Sequence, residues 1–310
     1  MELRDLGEFG LIARIEAAVR RSQGRAVVLG IGDDAALVRP RGRHDVAISC
    51  DAFVEGVHFD FGQESPSVAG RRALAAALSD LAAMGATPLG VVLSLSAPPR
   101  ADVGQVMGMV RGLLRDGARY GSPLVGGNVA RSRSLELHLS VIGEVPRGRA
   151  LRRCGARPGD RLFLSGPLGR SALQRRRGRV THVPRPRIDL GRSLRRPGRA
   201  SACIDVSDGL LADLGHLCKA SGVGARVDVA ALPRPRGFAA ACRRAGAEAA
   251  DLLLAGGEDY ELLFTVRGMP RGRRSSPGKA PREIGVVTEA GLELVGAPAG
   301  LAARLGWRHF

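Results

Sequence analysis

Apolar positions recur along the chain at helical and at strand spacing in alternation, and the pattern predicts two α/β units. Phe9, Ile12, Ile15 and Val19 fall at helix-like intervals, so a short helix is expected over residues 8–20. Residues 27–29 and 45–49 read as strands bracketing the loop Gly30-Ile31-Gly32-Asp33-Asp34. The apolar stretch after Asp51 is expected to stay extended. An alanine-rich body predicts a helix over 68–84, with Ser67 as its cap behind Pro66, Gly85 closing it and Thr87-Pro88 forcing the exit. Residues 89–95 form a continuous apolar strand. Over 102–120 the pattern is amphipathic and puts Val103, Val106, Met107, Val110 and Leu114 on one helix face. A strand opening at 123–125 runs into Gly126-Gly127-Asn128. Leu135, Leu137, Leu139 and Val141 then alternate with polar residues, the mark of a strand with one face on a core.

The punctuation at Val145-Pro146-Arg147-Gly148 divides the chain into an N-terminal domain, 1–146, and a C-terminal domain, 147–310. In the second half strands are expected at 161–164, 202–206, 224–229, 260–266 and 283–288, with helices after 206 up to 221 and over 237–245. The stretch 169–199 is rich in arginine and proline, and 267–282 offers no pattern that specifies structure.

At 310 residues and 45% hydrophobic content the chain has enough apolar material for two cores. No apolar run reaches the ~20 residues of a membrane span, and the first residues are charged rather than signal-like, so a cytoplasmic protein without a membrane partner is expected. Five scattered cysteines lack zinc or redox spacing and read as reduced thiols. The net charge of +17 first suggests nucleic acid, but 17 arginines against two acids between Arg147 and Arg199 account for +15 of it. With Phe163 the one aromatic in that window, a base-stacking surface has little support. The arginines are expected to decorate a surface loop, a few of them free to face phosphate groups.

Acidic residues stand at predicted strand ends and loop starts: Asp33, Asp34, Asp51, Asp80, Asp205, Asp208, and Glu258 with Asp259. Most adjoin glycine or a small hydroxyl residue, the donor set of a site for several Mg²⁺ ions and phosphate oxygens. Asp80 falls near a helix C-terminus, where an acid opposes the dipole unless a cation is close. Gly126-Gly127 and Gly256-Gly257 would let backbone N–H groups approach a phosphate. Signatures of P-loop NTPases, dinucleotide-binding folds, protein kinases, zinc proteases and serine hydrolases are all missing from the sequence.

The motifs in order are GIGDDAA, SCDAFVEGVHF, LSDLAAMGATP, GGN, IDVSDGLLADLGH and GGEDYELLFTV. Together they resemble the thiamine-monophosphate kinase family, part of the aminoimidazole-ribonucleotide synthetase-like superfamily, and the resemblance runs from Gly7 to Trp307. It implies an ATP-dependent phosphotransferase that converts thiamine monophosphate to thiamine diphosphate in thiamine biosynthesis. It implies several Mg²⁺ ions and ATP as co-substrate. The fold implied is α/β (α+β): an N-terminal α/β domain whose sheet pairs in the barrel of a homodimer, and a C-terminal α/β domain with a mixed sheet.

Residue by residue, the resemblance assigns metal binding to Asp33, Asp34, Ser49, Asp51, Asp80, Asp205 and Asp208. It assigns nucleotide binding to Gly127, Asn128, Arg153 and Ser207, and contact with the thiamine substrate to His58, Glu258 and Trp307. Asn128 stands where members often have aspartate, Cys50 where threonine is usual, and Arg170 where an acid commonly follows the second-domain glycine. No catalytic group beyond metal and phosphate ligands is expected, because a monophosphate is already an anionic nucleophile. The rival readings are another ATP-dependent enzyme of the superfamily, and a degenerate nucleotide- or nucleic-acid-binding protein.

Overall fold

The computed structural model describes residues 27–29, 33, 36–38, 42–268 and 281–297. The helix expected over 8–20, Asp34 and Trp307 lie outside the described residues.

Six strands form the first sheet: β1 (Val27–Leu29), β2 (Ala36–Val38), β3 (His44–Val54), β4 (Thr87–Ala97), β5 (Leu124–Arg131) and β6 (Glu136–Pro146). Their order is β1-β2-β3-β6-β4-β5, with β4 and β5 parallel and the other pairs antiparallel. The alternation read over 135–141 holds along all of β6, where every second residue is buried. The second sheet contains β7 (Arg161–Leu164), β8 (Ala202–Val206), β9 (Gly224–Asp228), β10 (Glu261–Val266), β11 (Arg282–Thr288) and β12 (Leu292–Val295), ordered β12-β9-β11-β7-β10-β8. It is mixed as expected: β12 runs parallel to β9, the rest antiparallel. Strands β2 and β12 were not expected from the pattern, each being too short to show a period.

Two long helices, α1 (Pro66–Ala83) and α2 (Val103–Tyr120), accompany the first sheet. Five shorter ones follow in the second half of the chain: α3 (Arg170–Arg176), α4 (Ile188–Leu194), α5 (Leu210–Ser221), α6 (Phe238–Arg244) and α7 (Ala249–Leu254). Helix α1 is the keystone. It packs on β3 and β6 on one side, on β8 and β10 of the other sheet, and on α2 and α4. Its alanine-rich composition follows from that position, because small side chains let a helix be buried all round. Buried residues from both halves of the chain therefore share one core, Leu74, Leu78 and Leu81 of α1 clustering with Phe163, Leu262 and Phe264, while a second core lies within the C-terminal half.

Two expectations about these helices need correction. The cap of α1 is Ser65, whose hydroxyl accepts from the Val68 N–H at 3.4 Å, and not Ser67. Proline favours the first helical position, so Pro66 starts the helix and pushes the cap one residue earlier. On α2 the buried face is Gly108, Met109, Gly112, Leu113, Asp116 and Gly117, whereas Val103, Met107 and Leu114 are exposed. The seam with α1 is made by glycines. A Cβ on Gly108 would sit 2.8 Å from Pro66 Cβ, and one on Gly112 or Gly70 would overlap the carbonyl of Ser67 or Met109 across the crossing. Val106 and Val110 of the expected face are partly buried against the core, but a hydrophobicity count gives glycine no weight, so the stripe it predicts lies to one side of the buried one.

Candidate active site

The junction of the two halves encloses a cavity of about 840 Å³, and seven of the residues singled out in the sequence line it: Asp51, His58, Asp80, Asp205, Ser207, Asp208 and Glu258. They arrive from five places. β3 delivers Asp51, the turn after it His58, the last turn of α1 Asp80, β8 and the loop behind it Asp205 to Asp208, and the segment before β10 Glu258.

Two of the aspartates are each held by a serine hydroxyl. Ser49 donates its hydroxyl to Asp80, joining β3 to α1. Ser79 Oγ donates to Asp205 Oδ2 at 2.6 Å, a link from α1 into the second sheet. Asp51 titrates at about 6, raised by burial and by the charge of Asp208 beside it. Carboxylates that repel one another across a polar cavity form the oxygen donor set a hard divalent cation compensates. Among the described residues no three acidic, histidine or cysteine side chains converge tightly enough to enclose an ion; they line a wall.

The loop after β8 owes its shape to Asp213 on α5, buried to 2% exposure. One of its oxygens accepts from the N–H groups of Ser207, Asp208 and Gly209 at 3.0, 3.2 and 3.1 Å. That bracket aims Ser207 and Asp208 at the cavity.

The opposite wall is built around Glu258. Its carboxylate accepts from Arg72 Nη2 at 2.9 Å and from Arg175. The same two arginines donate to the His58 carbonyl at 3.2 and 2.9 Å. Arg72 is 4% exposed, lies 5.3 Å from the Phe53 ring centre and also pairs with Glu64; burial opposes its charge, and the two glutamates restore it. His58 stacks on Phe53 at 5.6 Å, and its Nδ1 accepts from the Val54 N–H at 3.1 Å. Glu258 and Tyr260 have φ of 64° and 51°, the two non-glycine residues in the left-handed region among those described. Such backbone persists only where surrounding contacts over-determine it. Here the Glu258 N–H donates to Ser207 O at 2.6 Å and the Tyr260 N–H to Val206 O at 2.9 Å. Burial and the charges of Glu258 and Asp51 push the Tyr260 phenol well above its ordinary range, keeping it a hydrogen-bond donor.

Four other predicted residues are placed elsewhere. Asp33 and Arg153 pair with each other, the Arg153 N–H donating to Asp33 Oδ2 at 3.2 Å and its Nε standing 3.7 Å from Oδ1. Gly127 and Asn128 are exposed on the edge strand β5. Gly127 shares a cross-sheet row with Asp51 through Leu139 and Leu93, three strand spacings or about 14 Å away. A Cβ at Gly127 would overlap the Leu93 carbonyl, which is reason enough for glycine there.

The sequence reading missed Arg72, Arg175, Ser79, Asp213 and Tyr260. Three of them sat inside or beside quoted motifs, Ser79 ahead of Asp80, Asp213 in LLADLG and Tyr260 after Glu258-Asp259. The view of the arginine stretch as loop decoration is also corrected. Arg175 holds Glu258, Arg187 grips Glu261 through two hydrogen bonds, and Arg195 donates to the Gly85 carbonyl at 2.7 Å. Arginines paired with acids 70 or more residues away leave no local sequence signal.

Residues 32–145 match the family model described as AIR synthase related protein, N-terminal domain, and residues 157–295 its C-terminal domain. The chain is similar to the thiamine-monophosphate kinase of Salmonella typhimurium, 42% identical over 86% of this chain and 84% of that protein. It is also similar to that of Caulobacter vibrioides, 36% identical over 97% and 90%. The solved structure described as AaThiL complexed with AMPPCP and TMP superposes with a TM-score of 0.86 at 32% identity, covering 100% of this chain and 99% of that one.

Proposed function

This chain belongs to the AIR synthase related family and, within it, to the thiamine-monophosphate kinases; from that premise we propose that its interdomain cavity carries phosphoryl transfer from ATP to thiamine monophosphate, yielding thiamine diphosphate and ADP. The observation that carries this reading is the meeting of Asp51, Asp80, Asp205 and Asp208 with His58 and Glu258 around one cavity.

A phosphate oxygen of the acceptor attacks the γ-phosphorus of ATP as the bond to the bridging β–γ oxygen breaks, and ADP leaves. The acceptor is anionic near neutral pH, so no strong general base is required, and alignment of two polyanions is the main task. We assign the metal role to Asp33, Asp34, Ser49, Asp51, Asp80, Asp205 and Asp208, of which Asp51 and Asp208 already repel each other as a cation-binding pair would. Mg²⁺ held there supplies neutralisation of the phosphate oxygens. Gly127, Asn128, Arg153 and Ser207 are assigned to the nucleotide, and His58, Glu258 and Trp307 to the thiamine moiety. Arg72 and Arg175 fix the Glu258 carboxylate, and the Asp213 bracket fixes Ser207 and Asp208. The transfer is direct, and a trapped phospho-enzyme would contradict it.

We place the domain division at 146/147, where β6 ends. A homodimer formed through the first sheet is supported by the exposed Val125 and Val129 on its edge strand. The absence of a disulfide among the described cysteines agrees with a cytoplasmic location, and among the described residues no helix is long and apolar enough to cross a membrane.

The test is ADP release in Mg²⁺ with thiamine monophosphate, thiamine, a purine ribonucleotide and selenide as separate acceptors. Thiamine monophosphate alone should support turnover and yield thiamine diphosphate. Turnover with another acceptor only, or with none, overturns the proposal.

A further inference from the structure

A second cavity, of about 420 Å³, lies on the other side of residues 258–261, between α2 and the segment 167–187. Glu258 and Tyr260 face the first cavity while Asp259 and Glu261 line the second, so one short segment separates the two. Nothing in the proposed kinase reaction uses this second space.

Five arginines line it: Arg71, Arg119, Arg170, Arg185 and Arg187. Its three carboxylates are already committed. Asp116 pairs with Arg71 at 2.9 Å, and Glu261 binds Arg187. Asp259 is turned to the start of α3, accepting from the N–H groups of Gly169 and Ser171. Arg119, Arg170 and Arg185 therefore form no ion pair among the described residues, although they surround one concave space. His182, on the same wall, is held down to about 4 by burial and by Arg170, Arg72, Arg185 and Arg187, so it stays neutral near pH 7 and the positive field there is that of the arginines. The wall also carries Tyr120, with the Arg119 guanidinium 5.4 Å from its ring centre.

We propose that this cavity binds a di- or triphosphate anion. Three guanidinium groups without carboxylate partners match the charge of a diphosphate, and their forked donors suit its oxygens. A space of this size accommodates a small molecule. The carboxylate-lined first cavity selects phosphates that arrive with a cation, whereas the arginine-lined one takes the bare anion. That difference separates the two sites by experiment.

The measurement is equilibrium dialysis of the full chain in EDTA, with inorganic pyrophosphate and ADP as separate probes, and it involves no turnover, so its outcome is independent of the kinase reading. One site per chain is expected, weakening as salt rises. The double variant Arg170→Glu/Arg185→Glu changes two exposed side chains and should weaken both probes at least tenfold with an unchanged circular dichroism spectrum. The single variant Arg185→Ala should fall between it and the unmodified chain. Equal affinity for the two probes assigns recognition to the phosphates alone, and tighter ADP adds the Tyr120 wall. Failure of pyrophosphate and ADP to bind in EDTA, or binding undiminished in the folded double variant, overturns the proposal.

Discussion

The Ser79 hydroxyl, on the helix buried between the two sheets, donates to the Asp205 carboxylate at 2.6 Å, so a residue of the N-terminal half fixes a cavity carboxylate of the C-terminal half. Asp205 is 3% exposed and has little water to replace a lost donor. Ser79→Ala is expected to cost about 1–3 kcal/mol of stability and to lower turnover. Urea midpoints beside initial rates check this, and two unchanged values would show the link to be incidental.

Asp213 governs the loop that carries Ser207 and Asp208 from behind. Asp213→Ala strips three N–H groups of their shared acceptor, and turnover should fall by a factor on the order of 100 with the helical content retained. Asp213→Asn keeps an oxygen but loses the charge, so its rate should lie between the two. Paired rate and circular dichroism measurements decide.

Much of this architecture was legible in the sequence because the elements concerned are long or strictly periodic. β6 alternates along its length, and α1 announces itself by alanine and by the glycine after it. The carboxylates Asp51, Asp80, Asp205 and Asp208 were legible because they stand at or near predicted element ends, most of them beside a small residue, and the cavity does gather them. What escaped was long-range by nature. Arg175 lies 83 residues from Glu258 and Ser79 lies 126 from Asp205, and no local pattern reports a partner at that distance. The face of α2 was misread for a different reason: its contact with α1 rests on backbone approach at glycines, which hydrophobic periodicity cannot register.

The glycine seam gives a stability prediction. A Cβ at Gly112 would overlap the Ser67 carbonyl, which is backbone and cannot rotate away. Gly112→Ala should therefore destabilise by about 1–3 kcal/mol despite alanine's better helix propensity. A thermal melt that rose instead would contradict the close crossing of α1 and α2.

Asp259 provides a pH dependence. Burial lifts its carboxyl to about 7, from 3.8 for an ordinary aspartate. The folded chain then holds a proton that the unfolded chain releases, so the stability Asp259 contributes is present at low pH and is lost as pH rises from about 4 to 7. Asp259→Asn removes that titration. The stability difference between the unmodified chain and the variant should shift against the unmodified chain over this window and level off above it. Denaturant midpoints at half-unit pH steps measure it, and a flat difference would contradict the assignment.

The central claim is that the carboxylate-lined cavity between the sheets performs phosphoryl transfer to thiamine monophosphate. Its most direct measurement is thiamine diphosphate formation from ATP and thiamine monophosphate by the unmodified chain and by Asp51→Asn. The account predicts Mg²⁺-dependent product from the former and at least a thousandfold loss, about 4 kcal/mol in the barrier, in a variant with an unchanged melting temperature and fold. Near-normal product formation by Asp51→Asn would contradict it.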